Sequence, residues 1–328
     1  MQQQINVNAS AAPPIVRCQR QFSADSDSME CIPGWEVECL QVTPGDLAGC
    51  SVDLHLPSIQ LLYEQYRNAT TYHFGANPAD TVSLGIAFDM EGDGLLNGHR
   101  WSDGLCAFDA RSGLDSIVPP TQLISVVMDR ALVNEYLLAT EHVNLERCLS
   151  GGPAIVASGR LARRLVEPLQ LVLAFSESVS PEASAVGARM QLSVLELLGP
   201  HIAAELCAPA SAKRQGPYVD VVRRAREYLT ECQDAPPEIG ELCAVLGVSR
   251  RWLQLSFNEV LQVNPLTYLR ALRLGGARRM LSSGGAGIRV KDAVEAFGFW
   301  HLSRFSHDYH ALFGELPSET LRRSGGLA

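Results

Sequence analysis

Two stretches in the last third of this 328-residue chain follow one pattern, and that repeat restricts the fold more than any other feature. In the first, Ile239, Leu242, Cys243 and Leu246 stand at i, i+3, i+4 and i+7, and Gly247 follows. In the second, Val290, Ala293, Val294 and Phe297 keep that spacing, and Gly298 follows. Further on, Leu253, Phe257, Val260 and Leu261 answer to Phe305, Tyr309, Leu312 and Phe313. Each copy then reaches a proline, Pro265 or Pro317, and a Leu-Arg pair, Leu269-Arg270 or Leu321-Arg322. Gly247 to Gly298 is an offset of 51, whereas Leu253 to Phe305 is 52, so the second turn holds one extra residue. Apolar residues at this period give each helix one buried face. Glycine supplies the backbone freedom of a tight interhelix turn. The spacing predicts two helix–turn–helix units.

The length suggests two domains, and 46% apolar residues suffice for real cores. A net charge of −9 argues against a polyanion partner until it is divided. Residues 1–212 hold 11 basic and 24 acidic groups, a balance of −13. Residues 213–328 hold 16 basic and 12 acidic groups, a balance of +4. Such asymmetry hints at a nucleic-acid-binding end. Nine cysteines without a CxxC or a regular framework read as reduced thiols, with Cys243 in the core. Met1 to Ser10 has neither a basic start nor an apolar run, so no signal peptide is expected. The apolar stretches Leu165–Phe175 and Leu192–Leu206 are too short and interrupted to span a bilayer. The expectation is a soluble cytoplasmic protein with no membrane partner.

The chain divides by character. Residues 1–30 are polar and expected to be poorly ordered at first. A sensor or dimerisation domain is expected over 31–206, with strands over 35–129 and helices over 130–206. Val37–Val42, Ser58–Tyr66, Ser83–Phe88, Leu105–Phe108 and Leu123–Met128 are short apolar or alternating runs between turns such as Pro44-Gly45 and Asn97-Gly98. They predict a sandwich or barrel. Ala131–Thr140, Ala157–Phe175 and Ala183–Leu206 read as helices, and 207–217 as a linker. The all-α remainder, 218–328, begins with a helix over Tyr218–Cys232. Asn264-Pro265 opens a connecting helix between the repeats, an N-cap followed by proline at the first position. Gly275-Gly276 is expected to interrupt that helix, each glycine costing roughly 1 kcal/mol relative to alanine. The fold class is α+β.

The segments GVSRRWLQLSFNEVLQVNPLTYLRALRL and GFWHLSRFSHDYHALFGELPSETLRR resemble the paired helix–turn–helix domain of the AraC/XylS transcription regulators. Gly298-Phe299, Ser303, Phe305, Phe313-Gly314 and Pro317 carry the likeness, with Tyr309 in a usual phenylalanine position. The resemblance implies a sequence-specific transcription regulator, an activator by type, with double-stranded promoter DNA and RNA polymerase as partners. Ile32-Pro33-Gly34-Trp35, Leu40–Gly45 and Leu96-Asn97-Gly98 resemble the ethanolamine-utilisation regulators of that family. That likeness implies a cupin-like β-barrel that senses a small-molecule effector, with ethanolamine and a corrinoid co-signal as the family's own example. A homodimer through the sensor helices also follows from this reading.

In a helix–turn–helix the second helix enters the major groove by its first turn, where each base pair shows a distinct hydrogen-bond pattern. Ser249 is a suitable N-cap for the first such helix. Its outward residues are Arg250, Arg251, Gln254 and Asn258; arginine can bond guanine bidentately, and glutamine adenine. The second offers His301, Ser303, Arg304 and His307. Histidine is mostly neutral at pH 7, so the first helix is expected to give most base discrimination. The helices should reach the groove about one turn apart, roughly 34 Å. Arg278-Arg279 touches phosphates or nothing on this reading, Trp252 packs, and Trp300 belongs to the core or rim.

No Walker loop, GxSxG, HExxH or dinucleotide glycine pattern occurs, and no catalytic residue is expected. His55, His73 and His99 stand far apart, which argues against a metal site. Tyr63, Tyr66, Tyr72, His73, Trp101 and Phe108 are expected mostly in the barrel core, some lining a pocket. No cofactor is expected beyond an effector of unknown identity. Two other readings stay open: control by a protein partner rather than a metabolite, and a barrel enzyme with a DNA-binding appendage.

Overall fold

A computed structural model describes residues 16–23, 35–149, 154–178, 184–206, 217–232, 236–283 and 287–324. Twelve strands among them form two antiparallel sheets. The larger has the order β1 (Val16–Ser23), β3 (Ala48–His55), β4 (Ile59–Arg67), β11 (Thr121–Asp129), β6 (Thr81–Phe88), β9 (Gly104–Asp109), β12 (Ala154–Val156). The smaller has the order β2 (Glu36–Gln41), β5 (Thr71–Ala76), β10 (Leu114–Val118), β7 (Gly94–Leu96), β8 (His99–Trp101). This is the expected antiparallel domain ahead of an all-α part. The Asn97-Gly98 hairpin is confirmed: both residues take positive φ, 48° and 79°, between β7 and β8.

Two corrections concern strands. The polar N-terminal segment, expected to lack order at first, supplies β1, which pairs with β3 from Val16↔His55 to Ser23↔Ala48. Ala154–Val156, just before an expected helix, pairs with β9 as an edge strand. Strands β3, β5 and β10 were not singled out in the sequence. β5 and β10 are covered on both faces, by the cavity on one side and the helical part on the other, so burial there does not follow one alternating set. β3 alternates in reverse, with Ser51 and Asp53 buried and Cys50 and Val52 only half-buried.

Each sheet works on both faces, because successive strand side chains point to opposite sides. On the larger sheet, Leu61, Leu84, Ile86, Ile124 and Val126 lie in one apolar cluster with three helices. These are α1 (Arg130–Thr140), α3 (Gly159–Phe175) and α4 (Ser184–His201), separated by a short α2 (Leu145–Leu149). They match the helices read from the sequence. Alternate residues of the same strands, such as Leu62, Glu64, Cys106 and Phe108, turn toward the smaller sheet around a cavity.

The helical part packs on the outer face of the smaller sheet. Its elements are α5 (Pro217–Glu231), α6 (Ile239–Leu246), α7 (Arg250–Leu261), α8 (Pro265–Ser282), α9 (Val290–Ala296), α10 (Leu302–Phe313) and α11 (Pro317–Arg323). Leu40, Tyr72, Phe74, Leu95 and Ile117 from the sheet share one apolar cluster with these helices. Tyr72 and Tyr268 meet edge to face, 5.6 Å between centroids. Arg226 Nη1 donates to Asp115 Oδ2 at 2.8 Å, both residues largely buried. Burial raises the Asp115 carboxyl and Arg226 holds it down.

The connecting helix α8 runs unbroken through Gly275 and Gly276, against the expected interruption. The glycines are there for close approach. A Cβ on Gly276 would stand 2.3 Å from the Phe297 ring, and one on Gly275 3.2 Å from Leu40 Cδ1. Among the described residues no helix is long and apolar enough to cross a membrane.

Candidate functional site

Both turns are built alike. Gly247 and Gly298 adopt left-handed φ of 66° and 69°. Val248 N donates to Cys243 O at 3.1 Å, and Phe299 N donates to Val294 O at 2.9 Å, the same bond one repeat later. These bonds satisfy carbonyls left over at each helix end. Helix α7 is capped by Ser249, whose hydroxyl accepts from Trp252 N at 3.1 Å. Asn264 caps α8 through Thr267 N at 2.9 Å, with Pro265 first in the helix, as its sequence requires. Trp252 packs on Tyr218, 4.8 Å between centroids, as expected.

The eight residues singled out in the sequence are all exposed. Arg250, Arg251, Gln254 and Asn258 lie on the outer side of α7. His301, Ser303, Arg304 and His307 lie at the start and along the outer side of α10. The first turns of the two helices open onto one cleft, whose walls include Arg250, Arg270, Arg273, His301 and Arg304. Its acidic members are Glu238 and Asp308. Asp308 stands between the units, 3.8 Å from Arg270 Nε and 4.0 Å from Arg304 Nε. Neither Arg250 nor Arg251 has an ion-pair partner among the described residues, so both charges face solvent.

Two neighbours depart from the sequence reading. Arg278 is no phosphate contact: it is buried, its Nη2 lies 2.7 Å from Glu315 Oε1, and its guanidinium covers the Phe313 ring at 4.4 Å. Trp300 is neither core nor rim. It is 91% exposed and lines the cleft. Arginine pairs and turn aromatics look alike in sequence, and only the packing of α10 on α8 separates a staple from a contact.

The second candidate site is the cavity between the sheets, of about 70 Å³. One water needs only ~10–15 Å³ on the same measure, so a small organic molecule fits. Of the aromatics flagged in the sequence, His73, Trp101 and Phe108 line it, joined by Trp35. Tyr72 instead points out at the helical part. Tyr63 packs toward the helices on the far face. His55 does not join His73: it pairs with Asp53 at 2.8 Å.

Glu64 is the one acid in the cavity wall, which holds no Lys or Arg among the described residues. Tyr66 donates to its Oε1 at 2.6 Å. Burial pushes this carboxyl up to about 7, against the pull of the Tyr66 hydroxyl and with a small push from Asp53. Burial drives the His73 imidazole down to about 4, which leaves it neutral at pH 7. A cavity with no cation disfavours anionic ligands, since a buried charge needs a partner.

A pair of helix–turn–helix units on one connecting helix, with both second helices open to one basic cleft, is the framework of a DNA-reading domain. Residues 242–323 match the family described as a helix-turn-helix domain, and this part of the chain is a helix–turn–helix domain of the AraC type. The chain is 29% identical over 208 residues to a protein named "Probable thc operon regulatory protein" from Rhodococcus erythropolis, covering 62% of each chain. It is 29% identical over 131 residues to "XylDLEGF operon transcriptional activator 1" from Pseudomonas putida, covering 40% of this chain and 37% of that one. It thus spans less than two thirds of the curated relatives it matches. A solved structure titled as a probable AraC family transcriptional regulator from Rhodopseudomonas palustris is 34% identical. That match covers 32% of this chain and 97% of the other, with a TM-score of 0.30.

Proposed function

We propose that the protein is a sequence-specific DNA-binding transcription regulator whose sensor domain takes a small-molecule effector. One observation carries the DNA half: the second helices of a repeated motif hold Arg250, Arg251, Gln254 and Asn258, and His301, Ser303, Arg304 and His307, all exposed, with Arg250, His301 and Arg304 lining one basic cleft. Arginines near the groove would neutralise phosphates and read guanine, and Gln254 would read adenine. Promoter DNA is the partner, in the cytoplasm. RNA polymerase and a second copy of the chain are the further partners that the family implies.

The cavity supports the effector half. Its lining favours a neutral or cationic molecule over an anion, because Glu64 is its one acid and His73 is uncharged. The N-terminal resemblance to ethanolamine-utilisation regulators points the same way, to a small amine. The smaller sheet supplies a route for coupling. On β5, His73 faces the cavity while Tyr72 and Phe74 pack on the DNA-binding helices. On β10, Ser116 faces the cavity while Asp115 holds Arg226. An effector that prefers one position of this sheet would favour one placement of the helices.

The test has two parts. Affinity for promoter fragments should fall steeply with salt as counterions are released. No binding to any fragment, or salt-independent binding, would end the DNA reading. A thermal-shift screen should raise stability with small amines or neutral polar molecules and not with carboxylates. A shift only with a protein partner would replace the effector half; metal found in the purified protein, with a turnover, would favour an enzyme.

A further inference from the structure

Aligning the two turns isolates a single residue. Gly247 answers to Gly298 and Val248 to Phe299, an offset of 51, and the two glycines share their conformation. Val248 and Phe299 both tuck against the helical core. Ser249 and His301 then stand at the N-cap positions of α7 and α10, an offset of 52, with a side-chain capping bond only from Ser249. Trp300 is therefore the extra residue of the second turn, without counterpart in the first unit.

The inserted residue is also the most exposed large apolar side chain among the described residues. Beside it, Leu302 is 51% exposed, and Leu266 of α8 lines the same cleft. The cleft sets these apolar groups among four arginines, Arg250, Arg270, Arg273 and Arg304, opposed by Glu238 and Asp308. A surface that is basic and apolar at once fits the major groove, which offers phosphates at its edges and thymine C5-methyl groups on its floor. An indole has an apolar face for the methyl and one N–H donor for a base acceptor.

We propose that Trp300 is a specificity-determining residue, laying its indole on a thymine methyl at the edge of the second unit's half-site. The inference rests on the DNA-binding reading and sharpens it. The first unit has nothing of this kind, so the two half-sites are read by different chemistry: hydrogen bonds from α7, apolar contact from the turn before α10.

The experiment uses the full chain. Duplexes are selected from a random pool with the wild-type protein, and each thymine of the second half-site is then replaced by deoxyuridine. For the wild type, one such replacement should weaken binding about four-fold, the worth of one buried methyl group. Trp300→Ala should weaken binding to the unmodified duplex at least as much and lose sensitivity to that replacement. Its salt slope should equal the wild type's, because no phosphate contact is removed. Trp300→Phe should keep part of the effect. An indole so exposed can be removed without unfolding the chain, which the thermal transition checks. A Trp300→Ala protein with wild-type affinity and the wild-type deoxyuridine profile overturns this inference alone. So does one that binds DNA normally but fails to activate transcription, since Trp300 would then serve a protein partner. Failure of the wild type to bind any duplex overturns the DNA-binding reading as well.

Discussion

The two helix–turn–helix units share a plan and close their cores by opposite means. At an offset of 52, Phe257, Leu261, Val263 and Tyr268 of the first answer to Tyr309, Phe313, Glu315 and Thr320 of the second. In the first unit the joint is aromatic: Phe257 meets Tyr268 edge to face at 5.3 Å, and Tyr268 continues onto Tyr72 of the sensor sheet. In the second it is polar. Tyr309 Oη and Thr320 Oγ1 are 2.7 Å apart, and Thr320, Arg278 and Arg323 all donate to Glu315 Oε1. The tyrosine at a usual phenylalanine position thus has a bonding partner. Apolar closure extends a core across to a neighbouring domain; a polar network gathered on Glu315 closes the unit on itself.

The largest effect should come from that network. Arg278→Ala leaves Glu315 and its donors without the buried cation, and breaking a buried pair from one side costs about 3–5 kcal/mol. Denaturant unfolding should show the second unit lost before the first. Rewriting the second joint in the first unit's terms, with Arg278→Met and Glu315→Val together, should recover most of the loss, since apolar replacement of a whole pair is often neutral. If the single variant is as stable as wild type, the polar joint has no structural weight and the contrast fails.

Next in size is the division of labour on DNA. Arg251→Ala should cost about 1–3 kcal/mol of binding, roughly 5- to 150-fold, and relax discrimination in one half-site. His307→Ala should cost only a few-fold. Operator-wide mutational profiles for both variants check the ranking, and equal loss of discrimination in the two half-sites would break it.

The repeat, its caps and its exposed faces were legible because they obey local rules: a 3.6-residue period, a glycine after it, a serine or asparagine before the next helix. The role of Gly275 and Gly276 was not. Helix propensity alone makes that pair a weak point whose replacement by alanine should stabilise α8. What decides instead is contact with Leu40 and Phe297, neither of them near in sequence. The cavity was half legible: alternation marks which aromatics are buried but not which of two covered faces each one serves, so Tyr72 and His73, adjacent on β5, could not be separated.

Those glycines give the third test. Gly276→Ala should destabilise by about 1–3 kcal/mol, the usual cost of overpacking, because the Phe297 ring of α9 cannot shift without disturbing the second unit. Gly275→Ala should be close to neutral: Leu40 Cδ1 has a few tenths of an ångström to give, and helix propensity offsets the strain. Thermal melts of both single variants separate them, and a stabilised Gly276→Ala would restore the propensity argument.

The smallest effect tests how the second unit is held to the sensor. Gln41 Nε2 lies 2.6 Å from Leu312 O near the end of α10, and 2.9 and 2.7 Å from Thr43 O and Gly45 O in the turn after β2, so three carbonyls share its two N–H groups. One side chain therefore ties the loop at Pro44-Gly45 to the second unit, where the first unit relies on the Tyr72–Tyr268 contact and the Asp115–Arg226 pair. Gln41→Ala should cost about 1 kcal/mol, the net worth of an ordinary hydrogen bond. The loss should be local. Amide exchange should quicken at the end of α10, around 312–314, while the turn after α6, around 246–248, keeps its protection. Equal quickening in both turns would mean that the two units are released together, and that the sheet holds them as one body despite their different joints.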